Sequence, residues 1–348
     1  MQRLVYSNDV DRALGERLAA KDFYRLFVIA DENTARWVWP RVATLRRATL
    51  ITIAAGEQNK SLQSLAQVWR ALQAGQATRQ SLVVNLGGGV VTDLGGLAAA
   101  TFKRGIRFVN VPTTLLGAVD AAVGGKTAIN FGGLKNEIGC FQEAVDVIIS
   151  TCFFKTLPRH ELKSGYAEML KHALLGSEAQ LASLLNFPFE RVDDERLLHL
   201  LQESIAVKQS IVRDDPHDQG ARRALNLGHT VGHAFESLAL KRSKPIAHGY
   251  AVAWGIVAEL VLSHIMFRFP SETIQQMSDF VRTNYGAFPI TCDDYDTLLK
   301  LMRHDKKSQR GEINCSLLAA IGDARLSHTA SDDDMKAALD IYRDLMGM

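Results

Sequence analysis

The first half of the chain alternates short β-rich runs with segments whose apolar residues recur at helical spacing. Five runs are candidate strands, at residues 26–30, 49–53, 82–86, 108–111 and 145–149. Between the second and third runs, residues 61–74 place apolar side chains where one face of a helix would bury them. Strands that alternate with helices in this way form parallel sheets covered by helices, so the pattern predicts an α/β domain.

A different pattern begins near Pro158. Successive segments read as helices with few β-branched runs among them, at residues 161–175, 195–213, 230–240, 250–269, 271–285 and 295–304. A chain of 348 residues is long enough for two hydrophobic cores. We therefore predict an α/β domain at residues 1–157 and a mainly α-helical domain at residues 158–348.

Composition narrows the classes of partner. Lys and Arg number 40 and Asp and Glu 38, so no overall charge draws the chain to nucleic acid or to an anionic membrane. The four cysteines are widely scattered, as reduced thiols are, and residues 1–10 lack the pattern of a secretory signal. The apolar segment 251–267 contains Glu259 and His264 and is short for a bilayer, which favours a buried core helix. We expect a cytoplasmic protein.

A glycine-rich turn follows the third candidate strand. Gly87, Gly88 and Gly89 separate residues 82–86 from a helix of small residues that contains Asp93. Glycine lets a backbone approach a pyrophosphate, and the N-terminus of the next helix offers N–H donors, so the segment fits a phosphate-bearing cofactor. The turn is not GxGxxG, however, and glycine turns are more often structural.

Three further segments are each open to two interpretations. Asp31 ends the first strand, where a carboxylate would either bind a ribose hydroxyl or cap the next helix, and the polar loop 56–61 has the same ambiguity. The segment 119–127 places Asp120 and Lys126 around a glycine pair. It lacks the first glycine of a P-loop, which disfavours a Walker-type enzyme, but its lysine suits an anionic ligand as well as a solvated surface.

Two histidines, His229 and His233, stand four residues apart, so a helix would present them on one face. His248 precedes the apolar segment, and Glu168 lies in a predicted helix. One Glu and two His suit catalytic zinc, because three protein ligands leave a coordination position for substrate. Spacing does not choose among the three histidines, and a single buried histidine is more often a core residue. Nearby cationic and amide side chains suit a polyanionic substrate: Lys171, Lys208, Arg222 and Asn226.

Several long motifs together resemble those of the dehydroquinate synthase family. They are GGGVVTDLGG, RGIRFVNVPTTLLGAVDAAVGGKTAIN, LKNEIG, GYAEMLKHA, NLGHTVGHAFE and HGYAVAWG, in the family's order and spacing. The resemblance spans most of the chain, and the combination separates it from the related glycerol and iron-type alcohol dehydrogenases. It implies an α/β N-terminal NAD-binding domain with a parallel sheet, followed by a mainly α-helical C-terminal domain that binds metal and substrate.

The resemblance also implies roles for particular residues. Glu168, His229 and His248 would hold a divalent metal, zinc or cobalt, while His233 would be a non-ligand near the reacting centre. The residues implied to contact NAD are Asp31, Asn33, Glu57, Lys60, Gly88, Gly89, Asp93, Thr113, Thr114, Asp120, Lys126, Lys135, Asn136, Phe153, Thr156, Leu157 and Glu161. Those implied to bind substrate or act in catalysis are Arg104, Asp120, Lys126, Lys171, Lys208, Arg222, Asn226, His233 and Lys306.

The implied activity is conversion of 3-deoxy-arabino-heptulosonate 7-phosphate to 3-dehydroquinate and phosphate, by transient oxidation with NAD, phosphate elimination, reduction and aldol closure. The family also implies a homodimer. The alternatives are another sugar-phosphate cyclase such as a deoxyinosose synthase, a metal-dependent polyol dehydrogenase, and a non-enzymatic scaffold. Leu134, Asp218 and Tyr250 depart from residues common in the family, but none of them replaces a metal ligand.

Overall fold

The structure is a computed structural model, and it describes residues 2–189, 191–303 and 312–348. The chain forms two compact units. The first consists of Met1–Pro158 and Asp193–Gln202, and the second of Arg159–Val192 and Glu203–Met348. The predicted assignment of a cofactor domain to residues 1–157 and of a metal and substrate domain to residues 158–348 stays a prediction.

Residues Asp193–Gln202 belong to the first unit, whereas the sequence pattern places them with the second domain. Polar contacts account for the difference. The Lys155 ammonium lies 2.8 Å from the carboxylate of Asp194, and the Thr151 hydroxyl donates a hydrogen bond to the Asp194 carbonyl. Contacts between residues so far apart in sequence leave no periodic signal, so pattern alone does not reveal them.

The first unit holds, in chain order, β1 (Arg3–Tyr6), α1 (Val10–Ala19), β2 (Leu26–Asp31), α2 (Glu32–Trp37), β3 (Thr49–Ile53), α3 (Leu62–Ala74), β4 (Leu82–Gly87), α4 (Gly89–Thr101), β5 (Arg107–Pro112), β6 (Lys126–Phe131), β7 (Leu134–Phe141) and β8 (Asp146–Ile149). Within the described residues, six strands form one sheet of parallel pairs in the order β1-β8-β5-β4-β2-β3. This confirms the predicted α/β architecture, and each predicted strand overlaps an observed one. The separate antiparallel hairpin of β6 and β7 was not predicted.

The core of this unit lies around the middle of the sheet. All six residues of β4 are buried, as expected for a parallel strand that is covered on both faces. Val84 and Leu86 pack in a cluster with Leu14 of α1 and Val28 of β2. Burial of each such side chain stabilises the fold by about 1.5–3 kcal/mol, so this cluster fixes the strands that carry the loops described below.

The order of strands reverses beside β2. This strand pairs with β3 on one side and with β4 on the other, and the chain then continues from β4 to β5 in the direction away from β2. The loop after β2 therefore leads to one side of the sheet and the loop after β4 to the other, which leaves a crevice at the carboxyl ends of these two strands. In parallel sheets this is the place where ligands bind.

The rest of the chain forms α5 (Arg159–Gly176), α6 (Glu178–Leu185), α7 (Asp194–Asp214), α8 (His229–Lys241), α9 (His248–Phe267), α10 (Ser271–Tyr285), α11 (Tyr295–Arg303), β9 (Ile313–Ala320), β10 (Asp323–Ala330) and α12 (Asp332–Met346). In the second unit, α9 packs against α5, α8, α10, α12 and β9. By length and composition α9 could cross a membrane, but 72% of its most apolar window is buried in the fold. The prediction of a core helix is therefore confirmed.

The predicted helices of the second half are all observed, with ends that differ by two residues or fewer where the structure describes them. Their apolar periodicity is the signal that located them. The antiparallel pair of β9 and β10 is a feature that the sequence pattern missed. Apolar and polar residues alternate only over Ile313–Leu317, and the run then stays apolar to Ala320, so the period-two signal was present but short.

Candidate metal centre and dinucleotide site

Close contacts between helices bring the predicted metal ligands together. A Cβ atom on Gly249, next to His248, would lie 1.8 Å from the carbonyl oxygen of Ser164 on α5. The Gly249 N–H also donates a hydrogen bond to the Ser164 hydroxyl oxygen, at 3.0 Å. Only glycine allows α9 to approach α5 this closely, and Glu168 lies one turn beyond Ser164 on the same helix.

A second close contact joins α8 to α9. A Cβ atom on Gly255 would lie 2.0 Å from the carbonyl oxygen of Gly228, the residue that precedes α8. Buried Glu259 of α9 accepts hydrogen bonds from the N–H groups of Gly228 (2.6 Å) and Val231 (3.0 Å). These are donors that the first turn of a helix leaves unpaired, so Glu259 fixes the start of α8, where His229 is the first residue.

Glu168, His229 and His248 each place one ligating atom within 4.8 Å of the others. The Nε2 atoms of His229 and His248 lie 3.5 Å and 3.6 Å from the same oxygen, Oε1 of Glu168. These distances exceed ordinary hydrogen bonds, and this buried oxygen has no hydrogen-bond partner within the part of the chain that the structure describes. Such a gap between three donor atoms is the arrangement expected for a cation.

The hydrogen bonds of the two imidazoles leave their Nε2 atoms as the available ligands. Nδ1 of His229 lies 3.1 Å from the Leu227 carbonyl, and Nδ1 of His248 lies 3.2 Å from the carboxylate of Glu236. Both partners accept, so each Nδ1 carries the proton and each Nε2 keeps its lone pair toward Glu168. One carboxylate and two imidazoles fit a divalent metal such as zinc or cobalt.

Burial and close partners set the charge at this centre. Burial alone would raise the pKa of Glu168, but Lys171 and the two histidines hold that pKa well below its usual value. Burial lowers the pKa of His229 well below its usual value, and Lys171 adds to the effect. Burial would also lower the pKa of His248, but its contacts with Glu168 and Glu236 raise it to about 10. The two carboxylates therefore favour a positive charge at His248, which is a proton on Nε2 without a metal and which a metal ion bound to the Nε2 lone pair would replace.

His233 lies beside this centre. Its ring centroid is 5.4 Å from that of His229 and 5.9 Å from that of His248. His233, Glu236 and His248 form a second group whose potential ligating atoms lie within 4.8 Å of one another. The two groups share His248, but its Nδ1 bears the proton toward Glu236, so the first group is the better metal site.

Sequence reasoning missed Glu236 and Glu259. A single glutamate in a helical segment is most often a solvated residue, and neither glutamate was singled out as part of a site. The position of Glu236, three residues after His233 and so on the same helix face, was an available signal. Glu259 was noted only as a charged residue within an apolar segment. A carboxylate that is buried with such a helix needs hydrogen-bond donors, so its position was also an available signal.

Three of the predicted substrate-binding cations are buried in the second unit, namely Lys171, Lys208 and Arg222. Lys171 forms an ion pair with Glu168. Arg222 lies in a 3-10 helix that includes Asn226, and its backbone N–H donates to the carboxylate of Asp215 at 3.1 Å. Three cationic side chains held in one unit attract anions, so this group suits a ligand with more than one negative charge.

In the first unit, the glycine turn after β4 has the geometry expected of a phosphate site. Gly88 caps α4, and a Cβ atom on it would lie 3.0 Å from the side chain of Thr114. The Thr113 N–H donates to the Gly87 carbonyl, which ties the end of β5 to the end of β4. The backbone N–H groups at the start of α4, from Gly89, thus face the crevice where the strand order reverses.

Several predicted NAD contacts form one polar network. The Lys60 ammonium lies 2.5 Å from Asp93 and 2.5 Å from the side-chain oxygen of Asn136. Asn130 accepts from the Asn136 N–H and donates to the carboxylate of Glu57. Asn130 was missed, although it lies within a motif that was recognised.

The other predicted residues have diverse settings. Asp31 caps α2 and accepts a hydrogen bond from the Thr34 N–H at 2.8 Å, so the capping interpretation is confirmed and ribose binding stays a prediction. Lys306 lies outside the described residues. The remaining predicted residues of the first unit lie in several elements: Asn33 in α2, Asp120 in the π-helix Gly117–Ala121, Lys126 in β6 and Lys135 in β7. Arg104 has a φ of +66°. Phe153 and Thr156 lie in the 3-10 helix Cys152–Thr156, and Leu157 follows it. Glu161 belongs to α5 in the second unit.

Comparison with known proteins gives the family. Residues 50–164 match the model of the 3-dehydroquinate synthase N-terminal family and residues 165–308 that of the C-terminal family. A 3-dehydroquinate synthase from Parabacteroides distasonis is 46% identical over 350 residues, which cover 100% of this chain and 99% of that protein.

Solved structures show the same fold. The 2-epi-5-epi-valiolone synthase ValA from Streptomyces hygroscopicus subsp. jinggangensis 5008, with NAD+ and Zn2+ bound, has a TM-score of 0.88 at 26% identity over 99% of this chain and 97% of that one. A 2-deoxy-scyllo-inosose synthase, complexed with carbaglucose-6-phosphate, NAD+ and Co2+, has a TM-score of 0.83 at 22% identity, with 97% and 95% covered. With both family models matched across more than half of its length, the chain belongs to the 3-dehydroquinate synthase family.

Proposed function

We propose that this chain is an enzyme that converts 3-deoxy-arabino-heptulosonate 7-phosphate to 3-dehydroquinate and phosphate. The main support is the group of potential metal ligands Glu168, His229 and His248, together with the buried cations of the same unit. The chain is 46% identical to a 3-dehydroquinate synthase over its whole length, against 26% and 22% for the two other cyclases. This difference favours the carboxylated sugar phosphate over the substrates of those cyclases.

Glu168, His229 and His248 are the proposed ligands of a divalent metal, zinc or cobalt, as the Zn2+ and Co2+ in the two solved cyclases support. A metal ion there would supply Lewis-acid polarisation of a substrate hydroxyl. The chain itself supplies an ionised Glu168 and a neutral His229, both held in place by the contacts between α5, α8 and α9.

Cations are the proposed binders of the carboxylate and phosphate. Lys171, Lys208 and Arg222 are buried, which fits direct contact with anionic groups that leave water. Asn226 contributes an amide for a hydroxyl group. The roles of Arg104, Lys126 and Lys306 rest on the resemblance to the family.

His233 is the proposed group that moves a proton at the reacting hydroxyl. Its neighbours His229 and His248 are assigned to the metal, which leaves His233 for acid–base work. A proton taken from the hydroxyl during oxidation is returned during reduction, so His233 ends each turnover in its starting state. A catalytic role for Asp120 rests on the resemblance to the family.

NAD is the proposed cofactor, bound by the residues predicted for it, among which Asp31, Gly88 and Thr113 lie at the carboxyl ends of β2, β4 and β5. Bound NAD would accept a hydride from the substrate and return it later in the same turnover. The glycine turn before α4 and the network around Lys60 support this assignment. Because the hydride is returned, net NADH does not accumulate.

We further propose a cytoplasmic homodimer that binds neither nucleic acid nor membrane. The near balance of 40 basic and 38 acidic residues supports the lack of polyanionic partners. Four exposed apolar side chains on the β6–β7 hairpin support a contact between two copies: Phe131, Leu134, Ile138 and Phe141.

The decisive experiment measures phosphate release from 3-deoxy-arabino-heptulosonate 7-phosphate with zinc and catalytic NAD, before and after chelation, while NADH absorbance is followed. We expect release that a chelator abolishes, without accumulation of NADH, and a product with the spectrum of 3-dehydroquinate. Absence of release from folded, zinc-loaded protein would reject this substrate in favour of the other cyclase substrates. Stoichiometric NADH would instead indicate a polyol dehydrogenase.

A further inference from the structure

We infer that Glu236 is a positioning residue for the metal centre, which acts by fixing the proton and the orientation of the His248 imidazole. This inference rests on the proposed metal site of Glu168, His229 and His248. No role was assigned to Glu236 from the motifs, although the residue lies within one of them.

The contact between Glu236 and His248 joins two helices. Oε2 of Glu236, on α8, lies 3.2 Å from Nδ1 of His248, the first residue of α9. A carboxylate at this distance accepts the Nδ1 proton, so the lone pair of the ring is confined to Nε2. The Nε2 atom then faces Oε1 of Glu168, at 3.6 Å.

His248 needs such a partner more than His229 does. His229 follows Gly228, whose neighbours in α9 are in close contact, and its Nδ1 meets the backbone carbonyl of Leu227. The side chain of His248 is 28% exposed, against 11% for His229, so packing restrains it less. A charged acceptor gives a stronger hydrogen bond than a carbonyl does, and here it restrains the less buried ligand.

The second possible role for Glu236 is as a metal ligand, because it also lies in a group with His233 and His248. Binding in that group would require His248 to ligate through Nδ1, the atom that faces Glu236. Carboxylates that accept a hydrogen bond from the far nitrogen of a ligating histidine raise its basicity and hold its orientation. The geometry therefore favours the positioning role.

The test measures the zinc dissociation constant of the full-length protein by competition with a chelator of known affinity. We expect Glu236→Ala to weaken zinc binding by about 10- to 100-fold, the range for loss of such partners. Glu236→Gln keeps an oxygen that accepts the Nδ1 proton but loses the charge, so we expect a smaller loss. Asp279→Asn is the matched control, since it removes a carboxylate that pairs with Arg282 on α10 of the same unit.

The absorption spectrum of the cobalt-loaded protein separates positioning from ligation. We expect Glu236→Ala to keep the band pattern of the parent, because the three ligands are unchanged, while His248→Ala alters it. A Glu236→Ala spectrum that matches His248→Ala would make Glu236 a ligand and overturn the inference. So would zinc affinity within twofold of the parent in both Glu236 variants, with only a lower thermal midpoint. If His248→Ala itself binds zinc as the parent does, the metal site is wrong and the inference falls with it.

Discussion

His233 lies beside the proposed metal centre, and we assign it to acid–base catalysis and not to metal binding. We predict that His233→Ala lowers kcat on the order of 10²- to 10⁴-fold, the range of general acid–base catalysis, while the zinc content per chain is unchanged. Steady-state kinetics and metal analysis of the same sample measure both quantities. His328→Ala is a suitable control, because this residue packs on Phe267 in the same unit. Retained activity with lost zinc would contradict the assignment.

Asp215 holds the loop that precedes Arg222. Its carboxylate accepts backbone hydrogen bonds from Gln219, Gly220 and Arg222, and these lower its pKa to about 2. Because this pKa is below the ordinary value of 3.8, the ionised carboxylate contributes stability above pH 3.8, and that contribution is lost as the pH falls toward 2.

We therefore predict that Asp215→Asn lowers the thermal midpoint at pH 7 and that the difference from the parent narrows below pH 4. We also expect KM to rise by up to roughly tenfold, the equivalent of one or two hydrogen bonds, while kcat changes less. Thermal unfolding between pH 3 and 7 and steady-state kinetics check the two parts. A difference in midpoint that is constant with pH would show that the carboxylate charge is irrelevant.

At the scale of single residues, the sequence indicated which residue types could form a site more readily than which of them contact one another. The sequence alone left His229, His233 and His248 as equal candidates, and only the resemblance chose between them. The three-dimensional contacts supply an independent reason, since Nε2 of His229 and of His248 face one oxygen of Glu168. Glu236 escaped prediction because its role depends on a residue in another helix.

At the scale of elements, the pair of α8 and α9 depends on glycine. A Cβ atom on Gly255 would meet the backbone of Gly228 at 2.0 Å and that of Gly232 at 2.7 Å, and a backbone has no rotamer by which to withdraw. We predict that Gly255→Ala costs at least about 1–3 kcal/mol of unfolding free energy and weakens zinc binding, since the start of α8 must move. Urea unfolding and chelator competition measure the two effects.

Gly15 of α1 provides the matched control for this prediction. The nearest atom to a Cβ on Gly15 is the Thr44 hydroxyl oxygen, at 3.8 Å, so the methyl group fits. Gly15→Ala should then raise the unfolding free energy by about 0.5–1 kcal/mol, because alanine is the better residue within a helix. If both variants were equally stable, the close contact between α8 and α9 would not be a constraint.

Elements with strong periodicity were the predictable ones. The strand Thr49–Ile53 and the helix Ser271–Tyr285 have the predicted ends. The hairpins β6–β7 and β9–β10 were not predicted, because β7 is exposed nearly throughout and β9 is mostly buried. Strand β7 lacks the alternation of apolar and polar residues by which single strands are recognised, and in β9 this alternation spans only Ile313–Leu317.

At the scale of the whole molecule, the cofactor is proposed for the first unit and the metal for the second, and assembly of two chains is a separate question. The resemblance predicts both sets of ligand residues from long motifs, but a surface shared between two chains has no comparable motif. The hairpin of β6 and β7 is the best candidate surface. Leu134 and Ile138 of β7 are 54% and 42% exposed, whereas Ile129, opposite Ile138, is buried.

We predict that Ile138→Glu converts the proposed dimer to monomer, with a dissociation constant raised on the order of 100-fold or more, because the contact would bury a charge without a partner. Sedimentation velocity over a range of protein concentrations measures this constant. Leu240→Glu is the control, since Leu240 is 68% exposed near the end of α8 and lies outside the hairpin. Dissociation of the Leu240 variant alone would move the contact to the second unit, whereas two unchanged dimers would exclude both surfaces. Because Ile138 is not among the proposed site residues, a monomeric Ile138 variant that still releases phosphate would also show that one chain is sufficient for catalysis.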